Sequence, residues 1–352
     1  MKTLRAPFPW FGGKSRAASL IWEGLGDVRN YIEPFAGSLA VMLARPHEPR
    51  IETVNDLCAY LANFWRAVAR DPEAVAAAAD WPVNEADLHA RHRWLVDQVA
   101  FRERMRADPD FFDAKIAGWW AWGLSCWIGG GWCAVDMANG DERRRPSLGG
   151  GGQGTGVHRL WKQKPMVGGE GDKGVHRRTV GGPGGASARR PNMGGSGGGQ
   201  GVQSPTITRE ETGLVEWFQE LAARLRRVRV CCGDWKRVLT PAVLKSHGGP
   251  TGIVLDPPYD QEERAGNLYA QESLGVSAEV RAWALEHGED PDLRIVLCGY
   301  EGEHEMPSSW RVAEWHTSGG YASAERGVEN RFRERLWFSP ACLDPKQGRL
   351  FA

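Results

Sequence analysis

Short apolar runs alternate with segments of helical spacing in the first 56 residues and again after residue 209. The runs predict strands at Asn30–Glu33, 50–54, Val228–Cys232, 252–255 and 293–298, with helical segments between them. This β-α-β alternation is typical of a doubly wound, mostly parallel sheet with helices on both faces. Two final runs, 310–316 and 333–338, predict an antiparallel pair. The predicted fold class is therefore α/β and Rossmann-like.

A segment of different character separates the two α/β parts. A helix rich in tryptophan is predicted over 111–127, and residues 149–201 contain 20 of the 45 glycines. Glycine at this density loses too much backbone entropy on ordering to hold a packed core by itself. We therefore predict a helical and Gly-rich insertion at 108–208, in which 149–201 is mobile or ordered by a partner.

The net charge of zero conceals a basic segment. Residues 143–201 hold eleven Lys or Arg against two acids, Glu170 and Asp172, so the rest of the 352-residue chain is acidic by nine charges. Such a segment favours contact with a polyanion. The seven cysteines lack the spacing of a zinc site, and no metal is expected. No membrane span or signal peptide is recognised, so we expect a cytoplasmic protein.

The most informative motif follows the predicted strand 252–255 directly and consists of Asp256, Pro257, Pro258 and Tyr259. Consecutive prolines fix φ and lack N–H donors, so the elbow is rigid. The Asp256 carboxylate and the Pro257 carbonyl can both accept hydrogen bonds from one planar NH2 group, while the Tyr259 ring stacks on the heterocycle that carries it. An ordinary turn is the alternative interpretation.

Four further loops lie at strand ends or helix starts, where ligands bind in open α/β sheets. The run 35–38 lets the backbone approach a ligand closely, and Asp56 is placed to accept hydrogen bonds from a ribose. Asp234 and Trp235 suit an adenine ring, and the glycine turn at 9–14 ends in Lys14, a cation for a ligand carboxylate. Each loop alone is an ordinary turn or cap, so the prediction rests on their combination.

Together these motifs resemble the Dam-type (alpha-class) S-adenosylmethionine-dependent DNA adenine N6-methyltransferases, over about residues 7–70 and 209–340. The resemblance implies a catalytic group of Asp256, Pro257, Pro258 and Tyr259. It implies a cofactor site formed by Trp10, Gly12, Gly13, Lys14, Glu33, Pro34, Phe35, Ala36, Gly37, Ser38, Asp56, Asp234, Trp235 and Asp256. Leu39 departs from the family pattern, because a second glycine commonly stands at its position.

The resemblance implies that a methyl group passes from S-adenosylmethionine to N6 of an adenine flipped out of DNA. The catalytic domain would comprise 1–107 and 209–352, and the insertion 108–208 would recognise the target. Candidate DNA contacts are Arg143, Arg144, Arg145, Arg159, Lys162, Lys164, Arg177, Arg178 and Arg331. Cytosine N4 methylation, transfer of a larger group and a non-catalytic DNA-binding protein are the alternatives. Whether a cognate restriction nuclease is a partner stays open.

Overall fold

The computed structural model describes residues 4–8, 10, 14–127, 132–133, 213–244, 248–258, 269–315 and 333–344. Its chain contacts divide the protein into two compact units. The first unit consists of Met1–Leu4, Phe11–Cys58 and Arg227–Ala352, and the second of Arg5–Trp10 and Ala59–Arg226. The functional division predicted above, with an insertion at 108–208, stays a prediction.

Seven strands and ten α-helices are found in the described ranges. The strands are β1 (Asn30–Glu33), β2 (Ile51–Asp56), β3 (Val228–Cys232), β4 (Thr251–Leu255), β5 (Leu293–Tyr300), β6 (Arg311–Glu314) and β7 (Glu334–Phe338). The helices are α1 (Ala18–Leu25), α2 (Ala40–Leu43), α3 (Ala59–Arg70), α4 (Pro72–Ala79), α5 (Glu85–Val96), α6 (Val99–Ala107), α7 (Ala114–Cys126), α8 (Leu214–Leu225), α9 (Pro241–Leu244) and α10 (Tyr269–His287). A short 3-10 helix covers Trp235–Val238.

All seven strands form one sheet of the first unit in the order β3-β2-β1-β4-β5-β7-β6. The strands from β3 to β5 are parallel, and β7 pairs antiparallel with both β5 and β6. The predicted α/β fold with a mostly parallel sheet is confirmed. Because β7 runs the opposite way, its first residue lies at the edge where β1 to β5 end. We call this edge of the sheet the carboxyl edge.

Burial along each strand explains its place in the sheet. Every residue of β1 and β4 is buried, as expected for central strands covered on both faces. The end strand β6 alternates between half-buried and exposed residues, the pattern of a strand with one solvated face. Ile32, Ile253 and Ile295 of three neighbouring strands belong to one hydrophobic core that also includes Trp337. The sheet is thus a rigid base for the loops at its carboxyl edge.

The second unit is helical within the described ranges, and local capping explains where several of its helices begin. Asp71, Asn84 and Asp113 each accept a hydrogen bond from a backbone N–H in the first turn of α4, α5 and α7. Gly118 of α7 lets that helix approach α4 closely, since a Cβ there would lie 2.5 Å from the Ala78 Cβ. Phe8 packs against the rings of Phe64, Trp65 and Trp120.

None of the helices in the described ranges has the length and hydropathy of a membrane span. The seven cysteines all lie within these ranges and are free thiols.

Candidate active site at the carboxyl edge of the sheet

Two loops at the carboxyl edge are bonded to β2 by Asn55, the residue before the last of that strand. Its side-chain Nδ2 donates to the Pro34 carbonyl (3.0 Å) and to the Gly233 carbonyl (2.9 Å). The Asn55 carbonyl accepts a hydrogen bond from the Ala36 N–H (2.9 Å). The loops after β1 and β3 are thereby held against the end of β2. Asn55 is buried, and its Oδ1 has no partner among the described residues.

The glycine loop after β1 contains two residues in the left-handed region. Gly37 has a φ of 48° and Leu39 has φ 55° and ψ 26°. The left-handed region costs an L residue with a Cβ roughly 1–2 kcal/mol, a cost that a glycine at position 39 would not have. Leu39 is fully buried, and burying such a side chain contributes about 1.5–3 kcal/mol. Burial therefore offsets the backbone strain.

Asp56 ties the glycine loop to β2. Its Oδ2 accepts from the Gly37 N–H (3.1 Å) and its Oδ1 from the Cys58 N–H (2.8 Å). Burial raises the pKa of the Asp56 carboxyl to about 6, although the backbone hydrogen bonds act in the opposite direction. A carboxylate has about four acceptor positions, so these two bonds leave capacity for a ligand hydroxyl.

Glu33 ends β1 and is buried. The Tyr31 hydroxyl donates to Glu33 Oε2 at 3.0 Å. Burial raises the pKa of the Glu33 carboxyl to about 8, and the negative charge of nearby Asp256 adds to that rise. The hydrogen bond from Tyr31 lowers the pKa and offsets only part of the rise. Within the described part of the chain, Glu33 and Asp56 form no ion pair.

Asp256 follows β4, the central strand beside β1, and its carboxylate contacts a buried cation. Lys14 Nζ lies 2.8 Å from Asp256 Oδ1 and 3.7 Å from Glu334 Oε2. The side chain of Lys14 is only 3% exposed. Burial lowers the pKa of the Lys14 ammonium, but Asp256 and the other acidic neighbours more than compensate, so that pKa lies above its ordinary value. Lys14 is therefore charged.

Asp234 and Trp235, the residues predicted to bind adenine, differ in their exposure. Asp234 is exposed and caps the start of the 3-10 helix. Its carboxylate accepts a hydrogen bond from the Lys236 N–H (2.8 Å). Trp235 is buried in the core cluster. Its ring lies 5.9 Å from the Phe35 ring at an interplanar angle of 33°. Trp235 thus supports Phe35 from the core, and Asp234 is the accessible member of the pair.

The structure brings most of the predicted site residues to the carboxyl edge of the first unit. These are Lys14, Glu33, Pro34, Phe35, Ala36, Gly37, Ser38, Asp56, Asp234, Trp235, Asp256, Pro257 and Pro258. Trp10 belongs to the second unit, where its ring packs beside Phe8 and Trp120.

Several predicted residues lie outside the described ranges. They are Gly12, Gly13, Tyr259 and all nine candidate DNA contacts, Arg143, Arg144, Arg145, Arg159, Lys162, Lys164, Arg177, Arg178 and Arg331. Their roles, and that of Trp10, stay predictions.

Two residues at the carboxyl edge were missed. Asn55 carried a usable signal, because it stands directly before a candidate acid at the end of a predicted strand. Glu334 carried none, since its neighbours in the sequence contain no motif. It reaches Lys14 only because β7 is antiparallel and pairs Glu334 with Tyr300 at the end of β5.

The family model described as D12 class N6 adenine-specific DNA methyltransferase matches residues 10–99. The match includes Lys14, β1, the glycine loop, and β2 with Asn55 and Asp56, and covers roughly a quarter of the 352 residues. No curated protein matches the chain. Among the residues that the structure describes, no group of three or more His, Cys, Asp or Glu could hold a metal ion.

Proposed function

We propose that this chain, whose residues 10–99 match the family model of the D12 class of N6 adenine-specific DNA methyltransferases, transfers the methyl group of S-adenosylmethionine to N6 of an adenine flipped out of duplex DNA. The observation that carries the proposal is Asp256 at the carboxyl end of central strand β4, in ionic contact with buried Lys14. An ionised carboxylate at this place in an open α/β sheet is an acceptor facing the ligand crevice.

The residues of the β1 and β2 loops fit S-adenosylmethionine, which carries an ammonium group and two ribose hydroxyls. Glu33 is a buried carboxyl that forms no described ion pair and would be relieved of its burial penalty by an ammonium group. Asp56 can accept from ribose hydroxyls, and the loop from Phe35 to Ser38 lies between these two acids. When bound, the cofactor supplies an electrophilic methyl group on a positively charged sulfur.

Asp256 and Pro257 would prepare the adenine amine. The lone pair of N6 is delocalised into the ring, which makes the neutral amine a poor nucleophile. Two acceptors that receive hydrogen bonds from its two N–H groups favour a pyramidal nitrogen and point its lone pair in one direction. The protein then acts by positioning and by preorganised electrostatics. Tyr259 would stack on the extruded base.

DNA is the substrate of this family, and we propose that the basic residues between 143 and 178, together with Arg331, contact its phosphates. What supports this is the excess of eleven Lys or Arg over two acids in 143–201. Phosphate contacts of this kind add affinity that falls with salt and carry no sequence information.

Incubation of the purified chain with S-adenosylmethionine labelled in the methyl group and mixed-sequence DNA, followed by nucleoside analysis, tests the proposal. We expect label in N6-methyldeoxyadenosine. Asp256→Ala should lower the rate by about 10²–10³-fold, the loss typical of removing one preorganised polar contact. The matched control is Asp27→Asn. Asp27 precedes β1 at the opposite edge and pairs with exposed Arg50 at 2.7 Å, so this variant should keep the wild-type rate.

Other outcomes would redirect the proposal. Label in N4-methyldeoxycytidine would identify a cytosine enzyme, and a heavier adenine adduct would identify transfer of a larger group. DNA retardation on a gel without any label in the DNA would identify a non-catalytic binding protein. A normal rate in Asp256→Ala would remove Asp256 from the reaction.

A further inference from the structure

Lys14 and Glu334 form, with Asp256, a buried chain of alternating charge at the carboxyl edge. The ammonium lies between the two carboxylates, at 2.8 Å from Asp256 Oδ1 and 3.7 Å from Glu334 Oε2. The side chains of Lys14 and Glu334 are 3% and 7% exposed, whereas that of Asp256 is 20% exposed. Asp256 is thus the most accessible member of the chain of charges.

The fold brings these three groups together from distant parts of the sequence. Lys14 precedes α1, Asp256 follows β4, and Glu334 begins the antiparallel strand β7. The Trp315 ring, 5.7 Å from Lys14 Nζ, adds a cation–π contact. Leaving one member of such a buried group without its partner is costly, so the three side chains fix one another's positions.

We propose that Lys14 and Glu334 are positioning residues for methyl transfer, with Lys14 orienting Asp256 and Glu334 holding Lys14 in place. This inference rests on the proposed function and assigns Lys14 a different role from gripping the carboxylate of the cofactor. The contact on Oδ1 fixes the plane of the Asp256 carboxylate, so that its oxygens are directed as hydrogen-bond acceptors. An acceptor is what a neutral NH2 group requires.

In the described ranges, charged or titratable groups of several elements lie near the Lys14–Asp256 pair. They include Glu33 at the end of β1, Cys298 of β5 and Glu334 of β7. Loss of Lys14 removes the contact on Asp256 itself, whereas loss of the Glu334 charge removes only a contact that holds Lys14.

The test compares Lys14→Met and Glu334→Gln with the wild type by the kcat, the KM for each substrate and the dissociation constant for S-adenosylmethionine from equilibrium dialysis. For Lys14→Met we expect kcat to fall by about 10–10²-fold, the loss typical of a misplaced catalytic group. Cofactor affinity should change by less than about threefold, because the lost interaction is not with the cofactor.

Glu334→Gln is the second variant, and it keeps the volume of the side chain. Its kcat should fall by less than that of Lys14→Met, about 3–10-fold, because Lys14 and its contact with Asp256 remain. Its cofactor affinity should change by less than about threefold, a combination that would not arise from a general loss of structure. Arg50→Met, which breaks the exposed pair with Asp27 (2.7 Å) at the opposite edge, is the control and should match the wild type.

Two results would overturn the inference while leaving the methyltransferase intact. One is a Lys14→Met variant with a cofactor affinity at least about tenfold weaker and an unchanged kcat, which would place Lys14 on the cofactor. The other is a wild-type kcat and a wild-type cofactor affinity in both variants. A wild-type chain that labels no DNA would instead overturn the proposed function itself, and this inference with it.

Discussion

The two sides of the carboxyl edge hold their carboxyl groups in different ways. On the β1–β2 side, Glu33 and Asp56 are held by a hydroxyl and by backbone N–H groups, and no described cation pairs with either. On the β4–β7 side, Asp256 and Glu334 share the ammonium of Lys14. Burial raises the pKa of both acids on the first side, to about 8 for Glu33 and about 6 for Asp56.

The difference separates two kinds of recognition. A buried carboxyl without a counter-ion is stabilised by a ligand that brings a positive charge or several donors. A carboxylate that already has its counter-ion gains little from a second cation, but it is ready to accept hydrogen bonds from a neutral amine. This difference supports the proposal that the β1–β2 side binds the charged cofactor and the β4–β7 side the uncharged nucleobase.

Removing Asn55 should break the arrangement of loops on the β1–β2 side and strongly destabilise the fold. Asn55→Ala leaves the buried Pro34 and Gly233 carbonyls without their donor, and each buried unsatisfied group costs about 1–3 kcal/mol. We expect a loss of about 2–4 kcal/mol in the free energy of unfolding, measured by urea denaturation. Asn55→Asp should be at least as destabilising, because it places an oxygen against the same two carbonyls. A loss below that of Asn84→Ala, which removes an N-cap of the second unit, would contradict this role.

Neutralising Glu33 should change how the free energy of unfolding depends on pH, and so tests whether the β1–β2 side holds an acid without a counter-ion. The pKa of Glu33 is about 8 in the folded chain against an ordinary 4.5, so the folded state binds its proton more tightly. Its contribution is therefore full below about pH 4.5 and is lost as the pH rises towards 8. Between pH 6 and 9 the cofactor-free wild type should lose about 2–3 kcal/mol that Glu33→Gln retains.

Urea denaturation at both pH values measures this difference. Glu48→Gln, at an exposed position before β2, is the control and should show the wild-type pH dependence. Equal slopes for Glu33→Gln and the wild type would mean that Glu33 is ionised in the folded chain. Saturating S-adenosylmethionine should reduce the wild-type loss, if an ammonium group of the ligand takes the place of the missing counter-ion.

Local patterns predicted most of this edge, because its loops follow strands that can be recognised from short apolar runs. The loops after β1, β2, β3 and β4 were all found in this way, and each brings its predicted residues to the same edge. The ion pairing of Lys14 could not be predicted from its motif. It depends on Glu334, which lies 320 positions away in the sequence, and on the antiparallel direction of β7.

The burial of Trp235 was also beyond the motif. A Gly-Asp-Trp turn indicates an aromatic ring near a strand end, but only the three-dimensional structure shows that this ring belongs to the same hydrophobic core as Ile32 and Ile253. The conformation of Leu39 is a third such case. The sequence showed a departure from the glycine pattern, and the backbone shows that the left-handed conformation is kept despite the Cβ.

The smallest expected effect is the difference in stability between two variants of Leu39, and it tests how the glycine loop is built. Shortening a buried leucine to alanine typically costs about 2–5 kcal/mol, and Leu39→Ala should fall in this range. Alanine keeps the Cβ and therefore also the strained φ of 55°. Leu39→Gly loses the same contacts but removes the strain, so it should be more stable than Leu39→Ala by about 1 kcal/mol. Val41, also buried, lies in α2 without a positive φ, and there Val41→Gly should be less stable than Val41→Ala by about 1 kcal/mol. Urea denaturation of the four variants measures both differences. If the alanine variant were the more stable one at both positions, residue 39 would relax out of the left-handed region. The glycine loop would then be shaped by packing alone.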